Sequence, residues 1–349
     1  MNDNFSILLV LKDRSAYTKR FLHYLNYIRF PYPIIVADGG SDEEIQNILK
    51  NTSNFSNLEY EYHHYGYDKT LDEFHNKMSS AINLVQTPLV SVMDNDDFVL
   101  LEGIEKSIKF LKENQDYSST RGKIQLADIS DNVSGRLSVG GNMYNKFQNH
   151  IDSSTAAQRV DLQSRCFHGN WHNVTRTNHV KACWRMLGIS KPTNMRFTEQ
   201  TTAYMNIVFG KGARFSHPWL LHQQADRIKT EQGILCDHFP PQENWIKSNH
   251  WVSNFNKMAE IVGVSVSELD GVPIEDAIES FYESYTFKLP HLKNLLKKEV
   301  AKCREMGYNK ERVEKLRLTV SECDIQNIQQ IECSLFPSFS AEEELQILK

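Results

Sequence analysis

The chain has 349 residues, room for one large domain with an appendage, and 40% of them are hydrophobic, enough for a sizeable core. A formal net charge of -5 at pH 7 argues against nucleic-acid binding over the whole surface, which needs a positive field. Six cysteines (166, 183, 236, 303, 323 and 333) form no Cys-x-x-Cys pair, so zinc ribbons and dithiol redox motifs are unsupported and reduced thiols of a cytosolic protein are expected.

Phe5 to Leu11 is a near-continuous apolar run, the pattern of a strand buried on both faces, and it is preceded by no basic-then-apolar leader. Nowhere does an apolar stretch approach the roughly 20 residues of a membrane span. The strand stops at the polar turn Lys12-Asp13-Arg14-Ser15. Tyr17, Phe21, Leu22, Leu25 and Ile28 then recur at helical spacing until Pro31 and Pro33 end the helix. Ile34 to Ala37 is a second buried strand, closed by Asp38-Gly39-Gly40-Ser41-Asp42, in which Ser41 or Asp42 N-caps a helix over 43–50. Leu58 to His64 alternates as a third strand, with His63 and His64 read as ordinary strand residues. A helix follows from Leu71 to Val85. Strand and helix alternating with short connections predict a parallel, doubly wound sheet with right-handed crossovers.

The fourth strand, within Thr87 to Met93, runs into Asp94-Asn95-Asp96-Asp97, three carboxylates in four residues. Ionised acids cannot be buried unpaired inside a sheet, so they mark its carboxyl edge, where ligands of open α/β sheets bind. Hard oxygen donors gathered there suit Mg²⁺ or Mn²⁺. Gly39-Gly40 is no Gly-x-Gly-x-x-Gly fingerprint and no Walker loop occurs, which disfavours dinucleotide oxidoreductases and P-loop enzymes. A helix over 101–112 comes next. Gln125 to Ile129 reads as a short strand and 132–149 as a long loop.

The ordered set of Phe5–Arg14, Ile35–Asp42, Phe74-His75-Asn76-Lys77 and Pro88–Asp97 resembles the family 2-type glycosyltransferases of the GT-A fold. Two departures stand out: Leu11-Lys12-Asp13-Arg14 replaces the usual Pro-Thr-Tyr-Asn, and His75 replaces the Arg of Arg-Asn, leaving Asn76 as the match. The resemblance implies a mostly parallel sheet flanked by helices and a metal-dependent, inverting transfer of sugar. The donor is a nucleotide-diphosphate sugar, and the acceptor a hydroxyl of a glycan or lipid-linked acceptor. By the same resemblance Asp38 binds the nucleotide base, Asp96 and Asp94 hold metal and diphosphate, and Glu199 is the general base. It also implies a third metal ligand after the last strand, His222 ahead of His217. Lys12, Arg14 and Lys69, in loops of the same edge, are candidates for phosphate contacts. His168, Asn170 and Trp171, within the cluster 167–173, are candidates for sugar contacts.

Past Pro240-Pro241 the pattern becomes helical, over 244–262, 274–287, 292–306 and 309–318. We therefore expect a catalytic part over 1–240 and a mainly helical extension over 241–349. Cations outnumber acids between Lys288 and Arg317, which admits peripheral contact with an anionic membrane or glycan. Two other functions compete. A sugar-nucleotide nucleotidyltransferase needs a glycine-bearing loop after strand one, and 12–15 contains none; a non-catalytic GT-A-like glycan-binding protein needs no intact Asp38, Asp94, Asp96 and Glu199.

Overall fold

The computed structural model describes residues 4–130, 135–143, 150–169, 171–223 and 242–322. Strand β1 (Phe5–Leu11) leads through helix α1 (Ser15–Tyr27) to β2 (Ile34–Asp38), and α2 (Glu43–Lys50) leads to β3 (Tyr60–His64). Helix α3 (Leu71–Leu84) precedes β4 (Leu89–Met93), and a two-residue β5 (Phe98–Val99) precedes α4 (Leu101–Glu113). Local chemistry sets these boundaries. Asp42 accepts the Glu44 amide at 3.0 Å to start α2, and Thr70 and Glu73 form a reciprocal capping box on α3.

The next segment differs from its sequence reading. Strand β6 runs the whole of Tyr117–Ile129, and β7 (Leu137–Asn142) pairs antiparallel with it inside the segment expected to be loop. Helix α5 (Ala156–Arg165), strand β8 (Val174–Arg176) and helix α6 (Thr177–Ser190) follow, then α7 (Met195–Val208) and β9 (Lys211–Gln223). Among the described residues, nine strands form one sheet in the order β3-β2-β1-β4-β8-β6-β9-β5, with β7 on β6. The β3-β2-β1-β4 half is parallel, and β8 enters antiparallel between β4 and β6. The register aligns Leu11, Asp38 and His64 across one edge, so three strands deliver their carboxyl ends to the same place.

Side chains alternate across the sheet as a strand requires. Phe5, Ile7, Leu9 and Leu11 join a core with α1, α2 and α4, while Leu8, Val90 and Val92 join the opposite core. That second core also contains the C-terminal helices α8 (Gln242–Ile246), α9 (Trp251–Asp270), α10 (Ile274–Tyr285), α11 (Lys293–Met306) and α12 (Lys310–Glu322). The seam is aromatic: Trp251 stacks on Phe255 at 4.5 Å, Phe197 of α7 meets Trp245 at 5.0 Å, and Tyr204 meets Phe281 edge-on at 5.1 Å. Asp270, closing α9, accepts the Ala156 and Ala157 amides at 2.8 Å and so caps α5 from across the interface. The expected boundary at 240–241 lies outside the described residues. No helix among the described residues is long and apolar enough to cross a membrane. In α11 and α12, Lys302, Arg304, Arg312, Lys315 and Arg317 pair with glutamates, leaving Lys297 and Lys298 among the exposed cations of α11.

Candidate active site

The edge of the sheet gathers charge in two adjoining groups. In the first, Asp38 ends β2 almost fully buried. Its Oδ1 accepts the Gly40 amide at 2.8 Å and its Oδ2 the Tyr62 hydroxyl at 2.7 Å. Behind it, Asp68 pairs with Lys77 of α3 at 2.5 Å, the two side chains being 3% and 1% exposed. Lys77 also donates to the Leu11 carbonyl at 3.0 Å, and Lys12 donates to the Asp68 carbonyl. Burial lowers the pKa of Lys77 and raises that of Asp68, each opposed by the partner's charge. Gly39 is required here: a Cβ on it would stand 2.1 Å from the Asp68 carboxylate.

Asn76 and Lys69, both expected to contact substrate, are exposed at the rim of this group. Asn76 is exposed on α3 while its neighbours His75 and Lys77 turn inward, because residues one apart on a helix diverge by about 100°. Lys69 is exposed, with Glu73 as its nearby charge, and Lys12 lies 4.8 Å over the Tyr67 ring. His75, buried, bonds Thr198 of α7 at 2.9 Å, and burial lowers its pKa to about 4.

The second group lies around Asp94–Asp97. Because β8 pairs with β4, the turn before β8 brings His172 alongside the acids. His172 Nδ1 lies 3.0 Å from the Val92 carbonyl, which orients the ring with Nε2 toward Asp97 at 3.1 Å and Asp94 at 3.8 Å. His222, at the end of β9, puts Nδ1 3.0 Å from the same Asp97, which also accepts the Gln223 amide at 3.0 Å. Asp97, His172 and His222 thus offer one carboxylate oxygen and two imidazole nitrogens within 4.8 Å of one another. This donor set fits a divalent transition ion, and the bond from Nδ1–H of His172 to a carbonyl turns its Nε2 toward the cluster, where metal binding would have to displace a proton. Of the expected ligands Asp94, Asp96 and His222, only His222 belongs to this group; Asp96 pairs with Arg14 at 3.0 Å, and Asp94 stands at the margin with its side chain 45% exposed.

Charges are strongly coupled in this group. Burial works against ionisation of His172, but the hydrogen bond and charge of Asp97 outweigh it and lift its pKa to about 9. The hydrogen bond to Asp97 likewise raises His222. Asp97, despite its burial, is held well below the usual carboxylate range by the two imidazoles. Asp94 is accessible to water yet hemmed in by protein; this desolvation, followed by the charges of Asp96 and Asp97, raises it to about 6.

Glu199, on the second turn of α7, is likewise reached by water but crowded by protein. That crowding comes first and repulsion from Asp94 second in raising its pKa to about 7, against the pull of Arg196, His172 and Lys288. Lys288 arrives from the C-terminal helices, its amine 3.7 Å over the Phe167 ring. Gln200 is buried and accepts the Tyr285 hydroxyl at 2.6 Å.

Three expected sugar contacts fare differently. His168 is 1% exposed and held in the core by Arg121 at 2.5 Å, and burial lowers its pKa to about 3. Trp171 meets Trp184 edge-on at 5.8 Å and lines a cavity of about 20 Å³, room for one water and not for a sugar ring. Asn170 lies outside the described residues. His217 stacks on Phe215 at 5.3 Å, apart from the cluster.

No protein-family model matches the chain, and no curated protein matches it. Among solved structures it is similar to S. aureus TarS residues 1–349 in complex with UDP-GlcNAc, at 13% identity and a TM-score of 0.50, over 91% of this chain and 92% of that one. It is also similar to a longer S. aureus TarS chain, again at 13% identity and 0.50, over 82% of this chain and 43% of that one. The chain thus spans less than half of that longer chain. Strand order, carboxyl-edge acids and these similarities agree that the chain has the GT-A glycosyltransferase fold.

Proposed function

We propose that the protein is a glycosyltransferase that moves a sugar from a nucleotide-diphosphate donor to a hydroxyl of a glycan or lipid-linked acceptor. The observation that carries this reading is the Asp97–His172–His222 donor set, bordered by Asp94 and facing Glu199, at the carboxyl edge of a GT-A sheet. A cation such as Mn²⁺ held there would supply Lewis-acid neutralisation of the departing diphosphate. Asp38, aligned by Gly40 and Tyr62, accepts a hydrogen bond from the imide of the nucleotide base. Arg14 offers charge-assisted contacts to phosphate.

Glu199 takes the proton of the acceptor hydroxyl as its oxygen attacks the anomeric carbon. The new carbon–oxygen bond forms as the bond to phosphate breaks, and the nucleoside diphosphate leaves with the bonding pair. A carboxylate with a pKa near 7 suits a base at neutral pH, being half ionised yet more basic than an ordinary glutamate. Attack opposite the leaving group inverts the anomeric centre.

Because a similar structure holds UDP-GlcNAc, that compound is the first donor to test. Thermal unfolding is followed with UDP-, GDP-, CMP- and dTDP-sugars, each with and without Mn²⁺. A metal-dependent rise with one nucleotide is expected. No rise with any of them removes the basis for the reading.

A further inference from the structure

Lys288, just past α10, brings the helical end of the chain to the wall that bears Glu199, and aromatic rings hold it there. Its amide donates to the Tyr285 carbonyl at 3.0 Å, which continues the turn beyond the helix. Its amine lies 3.7 Å over the Phe167 ring and 5.2 Å from that of Tyr285. Both rings are tied to α7: Phe167 meets Tyr204 at 5.7 Å, and the Tyr285 hydroxyl donates to Gln200, next to Glu199, at 2.6 Å. Among the described residues the amine makes no hydrogen bond or ion pair, and neither does the Glu199 carboxylate. Ring faces attract a cation without neutralising it.

The charges around the two groups are few. Arg196, one turn back on α7, repels the amine and Glu199 attracts it, so burial and Arg196 work to remove its proton and Glu199 to keep it. Glu199 is faced by Asp94 from the turn after β4, by His172 from the turn before β8, by Arg196 from its own helix and by Lys288. A carboxylate locked in an ion pair gives up the lone pair that a base needs. One with less cationic support, crowded and beside Asp94, holds its proton at neutral pH. An amine seated on ring faces, outside ion-pair range, avoids both faults.

We propose that Lys288 is a positioning residue for Glu199, a cation stationed opposite the base by Phe167 and Tyr285 so that the carboxylate stays ionised and unclaimed. The helical end of the chain thereby contributes a charge to the reaction and not only a backing. The proposal rests on the glycosyltransferase reading for the role of Glu199, while the ionisation of Glu199 is measured directly. Solvent reaches both groups, so the scale is about half a pH unit or more, roughly a threefold change in the ionised fraction.

The test is carboxyl-carbon NMR of the full chain with isotope-labelled glutamate, titrated in metal-free buffer, the Glu199 signal being identified by its loss in Glu199→Gln. Lys288→Met keeps the side chain over the rings and removes its charge, and the Glu199 midpoint is expected to rise by about half a pH unit or more. Lys288→Arg restores a cation and should bring the midpoint back. A merely structural lysine would leave the midpoint unmoved. Should Lys288→Met unfold, Phe167→Leu removes the ring under the amine, and a smaller rise is expected. An unchanged or lower midpoint in the variant that folds, or a rise that Lys288→Arg does not reverse, overturns the proposal and leaves Glu199 as base. A wild-type midpoint at the ordinary glutamate value, about 4, overturns it together with the base assignment.

Discussion

Replacing Lys77 by methionine keeps the side chain's length and removes its charge from a site where both partners are buried. Lys77 and Asp68 are 1% and 3% exposed and 2.5 Å apart, and Lys77 also serves the Leu11 carbonyl at 3.0 Å. Breaking such a pair from one side strands a charge in low dielectric, at a cost of about 3–5 kcal/mol. Asp68 answers by taking up a proton, since burial already raises its pKa and the opposing lysine is gone. The sign follows: a carboxyl whose folded pKa lies above its unfolded value contributes stability below that unfolded value, near 4, and loses it as pH rises through the folded one. Urea unfolding of Lys77→Met should therefore show a larger loss at pH 8 than at pH 5, with an unchanged m-value. Adding Asp68→Asn should recover most of the loss. A single-variant cost under about 1 kcal/mol, or one independent of pH, would refute the view that the pair stays ionised only through mutual contact.

Glu199→Gln should keep nucleotide-sugar binding and lower turnover by about 10²- to 10⁴-fold; full activity in a radiolabelled-sugar transfer assay would remove Glu199 as base. Gly39→Ala drives a methyl into the Asp68 carboxylate, so weaker nucleotide binding by calorimetry and a lower melting temperature are expected, and an unaltered protein would show that the edge is loosely packed. In metal-free protein, the raised pKa of His172 contributes stability below about 6.5 that is lost as pH rises through about 9. Melting temperatures should fall across that window in wild type and stay flatter in His172→Gln.

The first hundred residues were legible because their chemistry is local. Buried parallel strands announce themselves as apolar runs, and acids at their ends have nowhere to go except the edge. Strand β8 and helix α6 were not legible: Val174–Arg176 is only three residues long, and the buried face of α6 includes the polar Thr177, His179 and Ser190, which blur the apolar pattern that Asn178, Lys181 and Arg185 would otherwise set off. The place of His172 beside Asp97 was not legible, since it depends on β8 entering antiparallel beside β4. The pairing of Asp96 with Arg14, and of Asp97 with the two histidines, has the same origin. Motif spacing names the turn, whereas the chain's own arginine and two histidines decide which carboxylate faces which charge.

The aromatic seam between α7 and the C-terminal helices bears on how the protein can be cut and recombined. Phe197 and Tyr204 flank the stretch that carries Glu199, and they are covered by Trp245, Trp251, Phe281 and Tyr285. A fragment ending near residue 240 would hand those rings to water, together with the unmet amides at the start of α5 that Asp270 now serves. The helical end therefore behaves as a keystone: exchanged for that of another GT-A protein, it would have to bring matching rings and a matching carboxylate, or the wall bearing Glu199 would lose its backing.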